Sequence, residues 1–388
     1  MNEGYPIPLS VDGLMAKARE ITGVDIVDHD VAEPLTVMHR SLCGESRLHE
    51  SGAVAQQNKL LRLLCNRLRM QRDFQRHPEI AEQKIEAPLI IFGMARSGTT
   101  KTQKILTTAG DFNWMPFWQT YNPALWTGDR AESPEARIRD ADAYCRWFDE
   151  STPQTKLGHS FETYEPEEDT TLTEQCFRAP SFIGYAEIPS YLQWLATQSP
   201  LPLFEFLRDT LKYLQWQGLA SPAKKWLLKA PTYYGMEPAL LQVFPDAQLV
   251  MTHRSPLQTV PSSCKLVACF RVPFCDAPVD GAALTAGFGM MMDLHIANRK
   301  AHPEMRILDL SFEEIAESID SVVEKIYAHA RLPLRQEAQQ RMRQWALENP
   351  MHKKGAFKYS LEEFGLNAEL VTRAMGGYLA FTRQLFGK

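Results

Sequence analysis

The sequence predicts a three-layer α/β/α fold with a central parallel sheet and helical segments at both ends. Three observations predict it. Four short continuous apolar runs, PLIIFGM from Pro88, KWLLKAP from Lys225, AQLVMTH from Ala247 and MRILDLS from Met305, suit strands buried on both faces. Helical patterns lie between the runs, the alternation of βαβ units. Residues ~10–80 and the stretch after Ser311 carry helical patterns instead, broken late by NPMHKKGAFKYS.

The elements follow in order. Ser10 is placed to N-cap a helix over VDGLMAKARE. AVAQQNKLLRLLCNRLRMQRDF sets Leu60, Leu64 and Leu68 on one helical face among arginines, which predicts a packing helix with a solvated basic side, ending before Pro78. The change of character after Glu86 divides the chain into a helical N-terminal region, 1–86, and an α/β domain, 87–388. Within the latter, helices are expected at Thr99–Ala109, Ser133–Glu150, Leu201–Gln217, Met236–Val243, Pro256–Phe270 and Ala282–Ala301.

Composition excludes some functions. The chain has 388 residues, 44% hydrophobic and 23% charged, with ample length for a sizeable core. A net charge of −5 gives no basis for non-specific nucleic-acid binding. No apolar stretch reaches the ~18 residues of a spanning helix. The N-terminus lacks a secretory pattern, and seven irregularly spaced cysteines read as reduced thiols, so a cytoplasmic location is expected. There is no metal-site signature, and no metal is expected.

The chemistry starts at FGMARSGTTKTQKIL. Gly93 and Gly98 stand five apart after an apolar run and before a helical pattern, the G-x-x-x-x-G half of a phosphate-binding loop. Such glycines turn backbone N–H groups toward an anion, and the helix N-terminus adds its dipole. Ser97, Thr99 and Thr100 offer hydroxyl donors. Thr99 stands where a nucleoside triphosphatase needs lysine, and LVMTHRS supplies no magnesium-binding aspartate. Arg96 supplies a bidentate cation there instead. A chain without that lysine and that metal ligand is poorly equipped to cleave a nucleoside triphosphate.

A second anion-reading segment is VMTHRSPLQTVPSSCKL. Arg254 falls at the carboxyl end of a strand, where open α/β sheets bind ligands. Ser262 lies eight residues on, about two turns into a helix that Pro256 can open. Two anion sites after two neighbouring strands call for a ligand with two separated phosphate-like groups.

RSGTT after an apolar strand, LLKAP, FPDAQLVMTHRSPLQTVPSS and YSLEEFGL together resemble the sulfotransferases that use 3′-phosphoadenosine 5′-phosphosulfate, and most resemble the bacterial-type branch with a helical N-terminal extension. The resemblance spans residues ~10–385. It implies a P-loop-like α/β fold and a metal-free transferase in which Arg96, Ser97, Gly98, Thr99 and Thr100 bind the 5′-phosphosulfate. Arg254 and Ser262 would hold the 3′-phosphate, and Lys353, Lys354 and Gly355 would match the late basic segment that closes over it. The sequence departs from the family at Lys101, where many members carry tryptophan against adenine, at Ala95, where close relatives carry proline, and at Arg96, where many carry lysine.

Sulfuryl transfer is an in-line displacement, stabilised by fixed cations and N–H groups aimed at the developing charge. Arg96 is the first choice of leaving-group cation. Lys229, ending WLLKAP, is either a second cation or a strand anchor. The acceptor base is His159, which titrates near neutral pH, or the pair Glu167–Glu168; the stretch resembles the family segment where a histidine precedes PEE. FNWMPFWQTYNPALW and APSFIGYAEIPSYLQWL are aromatic stretches for either core or acceptor pocket. The expected partner is a small hydroxylated acceptor with an apolar part, lipid-like or phenolic; a homo-oligomer stays open. A P-loop kinase is disfavoured by the missing lysine and magnesium ligand. GHSFE fails as a hydrolase elbow because Glu162 replaces the second glycine. A non-catalytic nucleotide-binding protein is compatible with every residue above.

Overall fold

A computed structural model describes residues 4–350, 353 and 355–387. The chain forms two compact units. The first comprises residues 1–84, 115–220 and 266–279, and the second residues 85–114, 221–265 and 280–388.

The second unit holds the sheet. The four apolar runs form strands β1 (Leu89–Phe92), β3 (Lys225–Lys229), β4 (Gln248–His253) and β5 (Ile307–Ser311), with a two-residue strand β2 (Phe112–Asn113) between the first two. All pairings are parallel, in the order β2-β3-β1-β4-β5. β1 is central and wholly buried, which is why it reads as an unbroken apolar run. Leu89, Ile91, Leu227, Val250 and Leu310 enter a core shared with Ile105, Leu106, Ile315, Val323, Ile326 and Met342 from helices on one side. Phe92 points the other way, its ring 6.2 Å from that of His295 in the Gly281–Ala301 helix. Helices on both sides of the sheet give the expected three layers.

The first unit is helical. Val11–Thr22 is capped by Ser10, whose Oγ accepts from the Gly13 N–H at 3.1 Å. Leu60, Leu64 and Leu68 are buried along Glu50–Arg76, which stops at His77 before Pro78. The basic side of that helix is not solvated, a correction to the sequence reading. Arg67 is buried against Asp28 at 2.5 Å, and Arg72 against Asp73 at 2.8 Å and the Leu125 carbonyl at 2.9 Å. Each guanidinium is buried with partners, the condition under which a buried cation is tolerated.

The expected helices form at Thr99–Thr107, Glu135–Ser151, Leu201–Trp216, Glu237–Val243, Pro256–Arg271 and Gly281–Ala301. Among the described residues no helix is long and apolar enough to cross a membrane. None of the seven cysteines is in a disulfide.

Candidate active site

In the second unit three neighbouring strand ends carry the predicted residues. Lys229 closes β3 beside Ile91 of β1, and Phe92 pairs with Met251 of β4, two residues before His253 and the adjacent Arg254. The Gly93–Gly98 loop therefore leaves β1 between two basic strand ends. Gly93 has φ 138°, and a Cβ there would stand 2.4 Å from the Thr252 carbonyl oxygen, so only glycine fits. Gly98, φ 105°, is the N-cap of Thr99–Thr107 with no side chain in the way of the helix N-terminus.

Arg96 holds φ 72°, a left-handed conformation that costs a non-glycine residue roughly 1 kcal/mol or more. Arg254 holds it there: its Nη1 donates to the Arg96 carbonyl at 3.0 Å. Arg96 Nε in turn donates to Ser262 Oγ at 3.3 Å. Arg96, Arg254 and Ser262, read from separate motifs, thus meet. Arg254 also donates to Gln258 at 3.0 Å and lies 3.8 Å over the Phe312 ring. Among the described residues no carboxylate pairs with Arg254. Burial pushes the Arg96 guanidinium below its ordinary value; Tyr359 opposes that shift and Arg254 adds to it. Two cations gathered this way have the electrostatics of an anion site.

The loop hydroxyls divide by role. That of Ser97, expected among the donors, is fully buried and engaged with the Met94 carbonyl and Thr252 Oγ1, both at 2.6 Å, and so locks the loop onto β4. Thr99 is buried and Thr100 exposed. Lys229, 1% exposed, donates to Thr100 Oγ1 at 3.2 Å. Lys101 spans to the Ile315 carbonyl at 3.1 Å.

Of the late basic segment, Lys354 lies outside the described residues. Lys353 is exposed and donates to Asn349 at 3.0 Å, and Gly355 has φ 106°. The residues beyond it reach the loop: the Phe357 ring lies 5.7 Å from the Arg96 guanidinium, and Tyr359 acts on both arginines. Sequence reasoning weighed this segment for its charge and missed Phe357, Tyr359 and Phe312.

The predicted base residues lie in the first unit. Thr155–Gly158 is a short helix that His159 ends, its N–H bonded to the Thr155 carbonyl at 2.7 Å. Glu167 donates its N–H to the Met115 carbonyl at 3.0 Å and is buried. Glu168 caps Asp169–Thr173 and receives Thr170 Oγ1 at 3.2 Å. His159 Nε2 stands 3.2 Å from Glu167 Oε1, and Nδ1 stands 3.8 Å from Glu168 Oε1. Phe161 and Phe270 pack edge-on against the ring at 5.2 and 5.9 Å. One ligand atom from each of the three lies within 4.8 Å of the others, a set that could close on a divalent cation. Only the Nε2 contact with Glu167 is within hydrogen-bond reach, however, so the ring is oriented through one nitrogen and can take a proton on the other, the arrangement of an oriented base.

A parallel sheet with helices on both faces, and a glycine loop after its central strand, defines a three-layer α/β/α protein. Residues 88–336 match the sulfotransferase family, and the chain belongs to that family. It is similar to the sulfotransferase STF1 of Mycobacterium tuberculosis H37Rv, with 26% identity, TM-score 0.80, and 96% of this chain and 99% of that one covered. It shares the fold of STF9 from Mycobacterium avium, a sulfotransferase, at 24% identity and TM-score 0.82, over 95% of this chain and 96% of that one. No curated protein matches.

Proposed function

We propose that the chain transfers a sulfuryl group from 3′-phosphoadenosine 5′-phosphosulfate to a hydroxyl of a small acceptor with an apolar part. The observation that carries this reading is the contact of Arg254 Nη1 with the Arg96 carbonyl, with Ser262 on Arg96 Nε, in a member of the sulfotransferase family. The 5′-phosphosulfate would lie against the Arg96–Thr100 backbone and the helix N-terminus. Arg254 and Ser262 would take the 3′-phosphate, and Lys353, Lys354 and Gly355 would close over it.

The acceptor oxygen attacks sulfur as the bond to the bridging phosphate oxygen breaks. Arg96 would neutralise charge gathering on the leaving phosphate, with Lys229 as a second cation. His159 would take the acceptor proton on Nδ1, with Glu167 orienting the ring through Nε2 and Glu168 close by. This chemistry uses no metal. A cytoplasmic place and the division into an N-terminal helical region and an α/β domain at residue 87 belong to the same reading.

The test is calorimetric binding of adenosine 3′,5′-bisphosphate, followed by transfer from labelled donor to a panel of sterols, phenols, hydroxylated lipids and glycans in the presence of a chelator. Binding and chelator-resistant transfer to one acceptor class are expected. Absence of binding overturns the donor assignment. Binding without transfer to any acceptor favours a non-catalytic nucleotide-binding protein.

A further inference from the structure

A cleft of about 580 Å³ opens in the first unit, lined by residues from four segments of that unit alone, one of them Tyr121. One wall is the start of Glu50–Arg76, another is Glu135–Ser151, and the third is Val272–Phe274. The first and third are locked together: Leu48 and Cys275 form an antiparallel bridge, and a Cβ on Gly52 would stand 1.8 Å from the Phe274 carbonyl oxygen. The cleft is therefore a fixed feature of the unit.

Its lining has two characters. Tyr121, Tyr144, Trp147 and Phe274 make an aromatic interior, with Trp147 and Phe274 5.7 Å apart. Val54, Trp147 and Val272 are three of the twelve large hydrophobic residues exposed in the described chain, and all three line this one opening. A cluster of exposed apolar groups around a concavity marks a binding surface. The size is in the ordinary range for drug-sized molecules, ~300–1,000 Å³.

The second character is charge. Lys59 lines the cleft but is matched by Glu174 at 2.9 Å, and its Nζ sits 3.1 Å from the Tyr185 ring centroid. His49 accepts from the Gly52 N–H at 2.8 Å through Nδ1, and its Nε2 faces the Val272 carbonyl at 3.2 Å, so both ring nitrogens are engaged. Asp140 stands exposed and accepts from Asn122 at 2.9 Å. Arg62 differs. Its guanidinium lies 3.8 Å over the Tyr121 ring, donates to the Tyr121 carbonyl at 2.5 Å and also bonds the Tyr121 side chain. Its Nε is buried with no partner, and among the described residues no carboxylate pairs with it. A guanidinium held on an aromatic ring with unspent donors is a ready receptor for a carboxylate or sulfonate.

The geometry points to a binding site for a small anionic amphiphile in this cleft, its acidic head on Arg62 and its flat apolar body between Tyr144, Trp147 and Phe274. The site is separate from the base residues. Neither His159, Glu167 nor Glu168 lines it, and the Phe161 ring intervenes, 6.1 Å from Tyr144 and 5.2 Å from His159. The inference thus goes beyond the transfer reaction and stands without it.

The test is fluorescence titration of the intact chain with 8-anilinonaphthalene-1-sulfonate and with the neutral N-phenyl-1-naphthylamine, with no donor present. Saturable binding of the sulfonate to one site is expected. Arg62→Met should weaken the sulfonate roughly 10-fold or more while leaving the neutral probe within about twofold, since only the charged hydrogen bond is removed. Trp147→Ala should weaken both. Asn58→Asp guards against misfolding of the Arg62 variant. Asn58 is an exposed lining residue one turn before Arg62 on the same helix face, so the new carboxylate pairs with that guanidinium. It too should weaken only the sulfonate. No saturable binding, or equal sulfonate affinity in wild type and Asn58→Asp, overturns the assignment.

Discussion

Arg254 Nη1 donates to the main-chain carbonyl of Arg96 at 3.0 Å, so the cation after β4 fixes the backbone that carries the cation after β1. Removing Arg254 takes away one positive charge and also releases a residue held at φ 72°. Arg254→Ala should therefore weaken adenosine 3′,5′-bisphosphate by about 1.5–3 kcal/mol, the range for a hydrogen bond to a charged group, or roughly 10- to 150-fold. Adenosine 5′-phosphate should lose much less. Calorimetry on both nucleotides checks this, and an equal loss contradicts the 3′-phosphate role.

Arg96 carries the second prediction. Its guanidinium is mostly withdrawn from water, with Ser262, Phe357 and Tyr359 around it. A fixed cation of this kind is worth most where charge develops during reaction. Arg96→Met keeps the stem and should lower turnover at least ~10²-fold at unchanged melting temperature. Steady-state rates with labelled donor check it. Turnover near that of wild type removes Arg96 from the chemistry.

Much of this arrangement is legible in the sequence, for physical reasons. β1, β3 and β4 are buried along nearly their whole length and their centres are apolar, so they stand out; β5 buries only Leu310 fully yet keeps an apolar pattern, and β2, two residues long, is too short to leave one. Gly93, Arg96, Arg254 and Ser262 follow from what an anion loop and a strand end require. The Ser97 hydroxyl does not, because its partner Thr252 is supplied by the pairing of β1 with β4, a contact 155 residues distant in the chain. Phe312 beneath Arg254 and the cleft at Arg62 are likewise products of tertiary packing, with no local signature.

His159 is set between two carboxylates, 3.2 Å from Glu167 and 3.8 Å from Glu168. The shorter contact is to the more buried acid, whose Oε1 also receives the Glu168 N–H at 2.7 Å and is fixed by it. His159→Ala should lower transfer by about 10²–10⁴-fold with donor affinity unchanged. Glu167→Gln should lower it less, since the amide keeps a neutral contact with Nε2 but loses the charge-assisted bond that orients the ring. Unaltered rates in the histidine variant would move the base to Glu167 or Glu168.

The buried pair Lys59–Glu174, 2.9 Å apart, tests the packing of the helical unit. Both groups are almost wholly enclosed, so Lys59→Met leaves Glu174 charged and without its cation and should cost ~3–5 kcal/mol. Lys59→Met with Glu174→Gln removes both charges and should recover part of that loss. Burial also pushes the lysine down from 10.5 to about 8, with Glu174 opposing the shift. Between those values the unfolded chain binds the proton and the folded chain does not. Unfolding there takes up a proton, so this lysine makes native stability rise with pH from about 8 to 10.5. Urea melts of wild type and the double variant across that window should show the wild type gaining on the double variant as pH climbs. A constant difference would mean that Lys59 keeps an ordinary proton affinity and that the enclosure around it is wetter than its contacts imply.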